Sequence, residues 1–337
     1  MGNPVLVEVT RGGATESRHR GAFVVMDADG AVVLSQGDVS LPVFPRSAVK
    51  ALQALPLVEG GFADKFGLTP AEIALCCSSH SGEEHHTAAS ASMLAKAGRD
   101  VSCLECGSHW PGYDKAARAL ALSGAAPTAL HNNCSGKHAG FICLSCGLDE
   151  DPKGYVTAAH RVQREVRSAL AEMTGARHDV ELAGTDGCSI PTYAIALSAM
   201  ALGFARFGAG GGRGAGMGPE RVKAASRIRA SVAANPAMVA GTGRFDTVLM
   251  EALGARAFTK TGAEAVFCGA LPELGLGIAL KIDDGATRAS QALMATLIGR
   301  LLTLEGHQHD TVSRLAAPHL NNWNGIEVGQ VRAVGVR

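Results

Sequence analysis

Aromatic residues are scarce, at 4% of 337 positions, with two tryptophans and three tyrosines. A core built with so few must be filled by small and aliphatic side chains. The 42 glycines and 47% hydrophobic content fit close packing with many turns rather than disorder. An excess of charge of one sign is also lacking: Lys plus Arg and Asp plus Glu number 31 each. That leaves no basic surplus for nucleic acid or an anionic membrane surface. Nor is there a long hydrophobic run. The most apolar stretch, Ala194 to Ala205, is too short to cross a bilayer and is stopped by Arg206. Met1-Gly2-Asn3-Pro4-Val5 shows no basic region leading into an apolar core, and Leu6 stands where a myristoylation signal needs Ser or Thr. The expectation is a cytoplasmic protein that binds neither nucleic acid nor membrane. Nine cysteines, an odd number, then point to free thiols or metal ligands and not to a disulfide framework.

The pattern of elements comes next. Val5–Val9 alternates as a strand, and Ala22–Met26 and Ala31–Leu34 flank Asp27-Ala28-Asp29-Gly30 as a hairpin. A helix is expected over Ser47–Leu57, and Thr69-Pro70-Ala71-Glu72 reads as a helix start. Ile73–Cys77 is a short apolar run, a buried strand or a helix end, that delivers the polar loop Ser78–Glu83. Helices are expected over 85–97, 114–122, 139–144, 155–174, from Pro191 to Ala205, and over 221–234 and 289–304. Strands are expected over 265–268, 275–282 and 327–336. Strands at both ends and helices between fit one domain over 1–337. Its fold class is α/β of the α+β type, a mixed sheet built from both chain ends with a helical region, about 60–260, inserted.

Chemistry concentrates in a few stretches. Ser47 and Lys50 form S-x-x-K, which on a helix puts both side chains on one face, and a neutral lysine there can take the serine's proton. Alone the motif equally describes a helix cap with a solvated lysine. The later Lys260-Thr261-Gly262 completes the pair of motifs found in penicillin-recognising serine enzymes. Ser79 or Ser81 in the loop 78–83 is placed to relay a proton, or only to cap a helix. Cys134, Lys137 and His138, with Cys188, are either zinc ligands or buried free cysteines beside a helix start. Cys103-Leu104-Glu105-Cys106 and Cys143-Leu144-Ser145-Cys146 offer a rival structural zinc. A zwitterionic substrate would find a cation in Arg46 for its carboxylate and an anion in Asp186 or Glu83 for its ammonium. The glycine-rich stretch 208–218 lacks the Gly-Lys-Ser/Thr of a phosphate loop and reads as a surface loop.

Together these stretches resemble the asparaginase II-type family, L-asparaginases similar in fold to serine β-lactamases and glutaminases. The resemblance is carried by P-R-S-A-V-K at 45–50, C-S-S-H-S-G-E at 77–83, H-N-N-C-S-G-K-H-A-G at 131–140, G-T-D-G-C-S-I-P at 184–191 and K-T-G-A-E at 260–264. Asn321-Asn322-Trp323-Asn324-Gly325 fits as well. The resemblance implies a serine β-lactamase/glutaminase-like fold and hydrolysis of L-asparagine to L-aspartate and ammonia through an acyl-enzyme. It implies Ser47 as nucleophile, Lys50 as its base, and Ser79 with Lys260 as a second serine–lysine pair. It further implies a zinc ion on Cys134, Lys137 and Cys188, with His138 and Asp186 close to the substrate, and a homodimer. Two other classes remain open on the residues themselves: a β-lactamase or penicillin-binding hydrolase, and a non-enzymatic binding protein stabilised by zinc on the C-x-x-C pairs.

Overall fold

The computed structural model describes residues 2–209 and 217–336. The chain opens with β1 (Val5–Arg11), β2 (Ala14–Asp27) and β3 (Val32–Gln36). The expected hairpin between β2 and β3 is present, closed by Asp27, whose Oδ1 accepts from the N–H groups of Asp29 and Ala31. After β4 (Pro42–Val43) the chain turns helical: α1 (Lys50–Gln53), α2 (Leu55–Glu59), α3 (Phe62–Lys65), α4 (Pro70–Cys76), α5 (Glu84–Lys96), α6 (Asp114–Leu122), α7 (Ser135–Gly147) and α8 (Arg161–Thr174). Three short strands follow, β5 (Ala183–Thr185), β6 (Pro191–Tyr193) and β7 (Ile195–Ala196), then α9 (Leu197–Ala209), α10 (Pro219–Ala234) and α11 (Phe245–Leu253). The chain closes with β8 (Phe258–Thr261), β9 (Val266–Leu271), β10 (Leu276–Ile282), α12 (Thr287–Leu301), α13 (Gly306–Ala316), β11 (His319–Asn321) and β12 (Glu327–Ala333).

The main sheet runs β11-β12-β1-β2-β10-β9-β8, with β3 beside the second half of β2. Both chain ends build it and the helices lie between, which is the expected mixture of helix and sheet. Its strands are not mixed in direction, however. Every pairing among the described residues is antiparallel. Hairpin neighbours need only a short turn, whereas parallel neighbours need a long crossover.

Strand alternation divides the core. Phe23 and Val25 of β2, with Ile278, Leu280 and Ile282 of β10, face α11–α13. Ala22, Val24 and Met26, with Ala279, face the helical region. On that second face the residues are small because α9 lies almost on the sheet: a Cβ at Gly277 would stand 2.0 Å from the Ala201 carbonyl oxygen. This close approach accounts for part of the glycine and alanine content, since backbone-to-backbone contact substitutes for bulky side chains.

Several boundaries differ from expectation. Of the two alternatives for Ile73–Cys77, the helix end is found: Ile73–Cys76 completes α4 and Cys77 caps it, the helix being started by a Thr69/Glu72 capping box with Pro70 in the first turn; an apolar run of five carries no period to separate helix from strand. The stretch after Pro191 first forms β6 and β7, and the helix begins only at Leu197. The helix expected from Tyr155 starts at Arg161, where His160 caps it. The glycine-rich stretch 208–218 lies largely outside the described residues.

Candidate functional site

The helix expected over Ser47–Leu57 is broken. A 3₁₀ turn, Arg46–Val49, comes first and delivers Lys50 into α1. Arg46 holds φ 49, a left-handed conformation costly for a side chain-bearing residue. Ser189, Glu264 and Ala265, on the other loops around the same cleft, also have positive φ, at 75, 56 and 54. Strain therefore concentrates where these loops meet. Gly262 explains the last letter of K-T-G. A Cβ there would lie 3.0 Å from the carbonyl oxygens of Pro45 and Val266 and 3.1 Å from the Ala48 nitrogen. Glycine thus lets the end of β8 come close to the Ser47 turn, where a side chain would force its backbone neighbours to give by a few tenths of an ångström.

Ser79 stands between two buried lysines. Lys50 Nζ donates to Ser79 Oγ at 2.9 Å, to the Ser78 carbonyl, and to Cys134 Sγ at 3.0 Å. Lys260 Nζ lies 3.0 Å from the same Ser79 Oγ and 2.6 Å from the Thr261 carbonyl oxygen. Lys50 and Lys260 are each 1% exposed. Burial, helped by the charges of Lys50 and Arg244, pulls Lys260 down to about 7, against the opposing pull of Asp246 and Cys134. Among the described residues Ser47 Oγ makes no hydrogen bond; it is free at the cleft.

The loop carrying Ser79 is fixed from two sides. Ser79 N–H donates to the Val239 carbonyl at 2.9 Å, and His80 N–H to that of Asn133 at 3.0 Å. His80 accepts from Gly82 N–H on Nδ1, so its proton sits on Nε2, 2.9 Å from Ser135 Oγ. His86 does the same between Glu83 N–H and the Ala237 carbonyl, and the two rings stack at 4.8 Å. Burial first, then the proximity of His86, holds His80 well below the usual histidine range, and burial lowers His86 to about 4. Both are neutral struts.

A second cluster adjoins the first. Lys137 Nζ lies 2.9 Å from Cys188 Sγ, and Lys50 touches Cys134 Sγ. The bond from Cys188, with Lys50 and Lys137 nearby, holds Cys134 well below the usual thiol range, while the same bond and burial push Cys188 up. Burial alone would lower Lys137, but Cys188 and Cys134 carry it above its ordinary value. Both sulfurs line the cleft, with Lys137 buried behind them. Two sulfurs and a nitrogen suit zinc. The residues therefore fit the metal, provided it displaces the protons on Lys137 and the sulfur pair.

The cleft measures about 240 Å³ and is lined by Ser47, Arg46, Asp186, Cys134 and Cys188, with His109, Asn132, Asn133, Gly187 and Ala263. Arg46 Nε and Asp186 Oδ1 pair across its wall. Burial raises Asp186, yet the bond from Arg46 and the charge of Lys137 leave it below the ordinary carboxyl value. Glu83 is not brought to the cleft. Its two oxygens accept from Thr242 N–H and Thr242 Oγ1, at 2.9 and 2.6 Å. It forms a candidate cation cluster with His85 and His86, but those hydrogen bonds already occupy Glu83 and His86. His138 lies behind the cleft, wholly buried, with Nδ1 2.6 Å from the Tyr155 hydroxyl. The C-x-x-C pairs do not converge. Among the described residues no three of those sulfurs gather, because Cys143 is packed inside α7 and Cys106 donates to the Ala129 carbonyl. The zinc-stabilised binding protein on those pairs is therefore set aside. A groove of about 270 Å³ near Glu59, Phe62 and Arg221 holds no comparable group, since Arg221 is taken by Glu59 and Glu172.

Sequence reasoning missed His109, Asn133 and Asp246. His109 Nε2 accepts from Asn133 N–H at 2.8 Å, a pairing with no signature in the spacing. Asp246, on α11, binds Thr261 beside Lys260, and nothing around position 246 marks it.

With this geometry in place, the comparisons give a family. The model described as L-asparaginase II matches residues 7–333, nearly the whole chain, and the chain belongs to that family. No curated protein matches the sequence. Among solved structures the chain is similar to the native form of Mglu, at 15% identity and a TM-score of 0.47, over 90% of this chain and 70% of that one. It is also similar to a β-lactamase from Mycobacterium bovis, at 11% identity and a TM-score of 0.35, over 83% and 94%.

Proposed function

We propose that this member of the L-asparaginase II family hydrolyses the side-chain amide of L-asparagine, giving L-aspartate and ammonia. The observation that carries the reading is the line Lys50–Ser79–Lys260, hydrogen-bonded at 2.9 and 3.0 Å, beneath a cleft floored by Ser47. Ser47 is the nucleophile, because it lines the cleft while Ser79 is buried below. Lys50, one turn on, takes the Ser47 proton as the ester to the aspartyl group forms. That proton can pass through Ser79 to Lys260, whose value near 7 lets it hold or release a proton at neutral pH. Returned along the same line, it protonates the departing ammonia. Water then attacks the ester, the lysines accept its proton, and Ser47 recovers its own.

The backbone N–H groups of Ser47 and Ala263 lie in the first two positions of the two 3₁₀ turns at the cleft and have no partner outside those turns among the described residues. They are the donors for the oxyanion. Arg46 and Asp186 supply opposite charges for the substrate's carboxylate and ammonium. Zinc would be held by Cys134, Lys137 and Cys188. When bound, it supplies positive charge at the cleft end that orients the substrate. A homodimer is proposed with it, checked by sedimentation. Among the described residues no helix is long and apolar enough to cross a membrane.

The test is ammonia release from L-asparagine and from L-glutamine by the zinc-supplied protein beside Ser47→Ala. Asparagine-selective release that vanishes in the variant supports the reading. A folded protein releasing ammonia from neither amide overturns it and, with cleavage of a chromogenic β-lactam, favours the other use of S-x-x-K and K-T-G.

A further inference from the structure

Asp246 lies in the first turn of α11 and is 1% exposed. Its Oδ2 accepts from Thr261 Oγ1 at 2.6 Å and from Thr261 N–H at 3.3 Å. The carbonyl of that same Thr261 accepts from Lys260 Nζ, which reaches Ser79 Oγ. One carboxylate oxygen thus fixes the residue against which the lysine amine is braced. The other oxygen, Oδ1, is buried with no hydrogen-bond partner among the described residues. An unpaired buried carboxylate oxygen is costly, and an asparagine or a hydrophobic residue would remove the charge from that position. Asp246 forms no contact ion pair with Lys260, so it acts through Thr261 and through space.

We propose that Asp246 is a positioning residue for the Ser79–Lys260 pair, clamping Thr261 so that its carbonyl braces the lysine amine while the carboxylate's charge favours the protonated lysine. This rests on reading Lys260 as the proton store of the reaction. The groups facing Lys260 are Lys50 from α1, Arg244 at the start of α11, Cys134 at the start of α7, Cys77 after α4, Cys268 on β9, and Asp246 itself. Only Asp246 combines negative charge with a hydrogen bond to the strand that carries Lys260. Removing that charge leaves burial and the charge of Arg244 less opposed, so Lys260 must lose its proton at lower pH.

The experiment is Asp246→Asn in the zinc-supplied full chain, read in two ways. The Lys260 ¹³Cε shift, assigned with Lys260→Met, is followed against pH. In the variant the midpoint is expected about one unit below wild type. The acid limb of kcat/KM is expected to move down by the same amount, while KM stays within about twofold of wild type. A lower rate at every pH with the limb and the midpoint unmoved makes Asp246 merely structural and overturns the proposal. If Asp246→Asn does not fold, Thr261→Val tests the clamp. A fall in kcat of about tenfold or more, restored by Thr261→Ser, is expected; a wild-type kcat in Thr261→Val overturns it. The titration needs no substrate. A wild type that releases no ammonia therefore fails the proposed function without deciding the role of Asp246.

Discussion

Lys137 and Lys260 are the same residue type with almost the same burial, 2% and 1% exposed, and their affinities for a proton move in opposite directions. Lys260 faces a serine hydroxyl, a carbonyl and a second lysine, and falls to about 7. Lys137 faces the sulfurs of Cys188 and Cys134 and rises. Burial penalises both ammonium groups. What differs is whether the neighbours return the lost hydration as charge. The site thus has one half that favours a neutral lysine and another that favours a charged one. Lys50 spans the two, touching Ser79 Oγ and Cys134 Sγ.

The comparison can be broken in stages. The largest effect is expected from Ser47→Ala and Ser79→Ala, each lowering kcat on the order of 10⁴-fold or more with the fold intact by circular dichroism. A Ser79→Ala enzyme within tenfold of wild type would remove the hydrogen-bonded line from the mechanism. Next come the two lysines themselves. Lys260→Met should cost roughly 10²–10⁴-fold in kcat while retaining zinc by elemental analysis. Lys137→Met should lose zinc and raise KM more than it lowers kcat, as chelation of the wild type should. If both substitutions change the same quantity, the two halves are not distinct. Smaller again is the pH effect: the acid limb of kcat/KM should fall near pH 7, where Lys260 gives up its proton. A limb near 4 to 5 would assign it to a carboxylate instead.

The smallest expected effect is on stability. His86 is neutral in the fold, with its ordinary value of 6.5 lowered to about 4. The unfolded chain therefore binds the extra proton between those values. Its contribution is complete above about 6.5 and is lost as pH falls toward about 4, amounting to about 3 kcal/mol. Denaturant midpoints at pH 7.5 and 4.5 measure the loss. His86→Gln, which keeps a donor and an acceptor but does not titrate in this range, should reduce it by about that amount and leave the share of buried His80.

The local signals in the chain were mostly sufficient for the elements. The Asp27–Gly30 turn, the Thr69/Glu72 cap and the Asp114–Leu122 helix follow from hydrogen bonds and side-chain periods confined to a few residues. The five motif stretches were likewise legible: Arg46, Ser47, Cys134, Asp186 and Cys188 line one cleft, and Lys50, Ser79 and Lys260 are hydrogen-bonded to one another beside it. Glu83 and His138 were legible only as neighbours of the chemistry. Whether a carboxylate faces the substrate or Thr242, 159 positions away, depends on a contact that no local pattern encodes.

By itself the sequence determined most element types, the strands at both chain ends, the candidate serines, lysines and cysteines, and the resemblance they carry. Tertiary structure alone decided that the sheet is antiparallel and that α9 rests directly on Gly277. It alone placed Ser79 between two lysines, left Ser47 unbonded at the cleft, and set Asp246 behind Thr261. The reason is physical: propensity, caps and periods act over one or two turns of chain. Proton affinity and hydrogen-bond partnership depend on distances between groups far apart in the chain, 181 residues for Lys260 and Ser79, and those distances exist only once the core has closed.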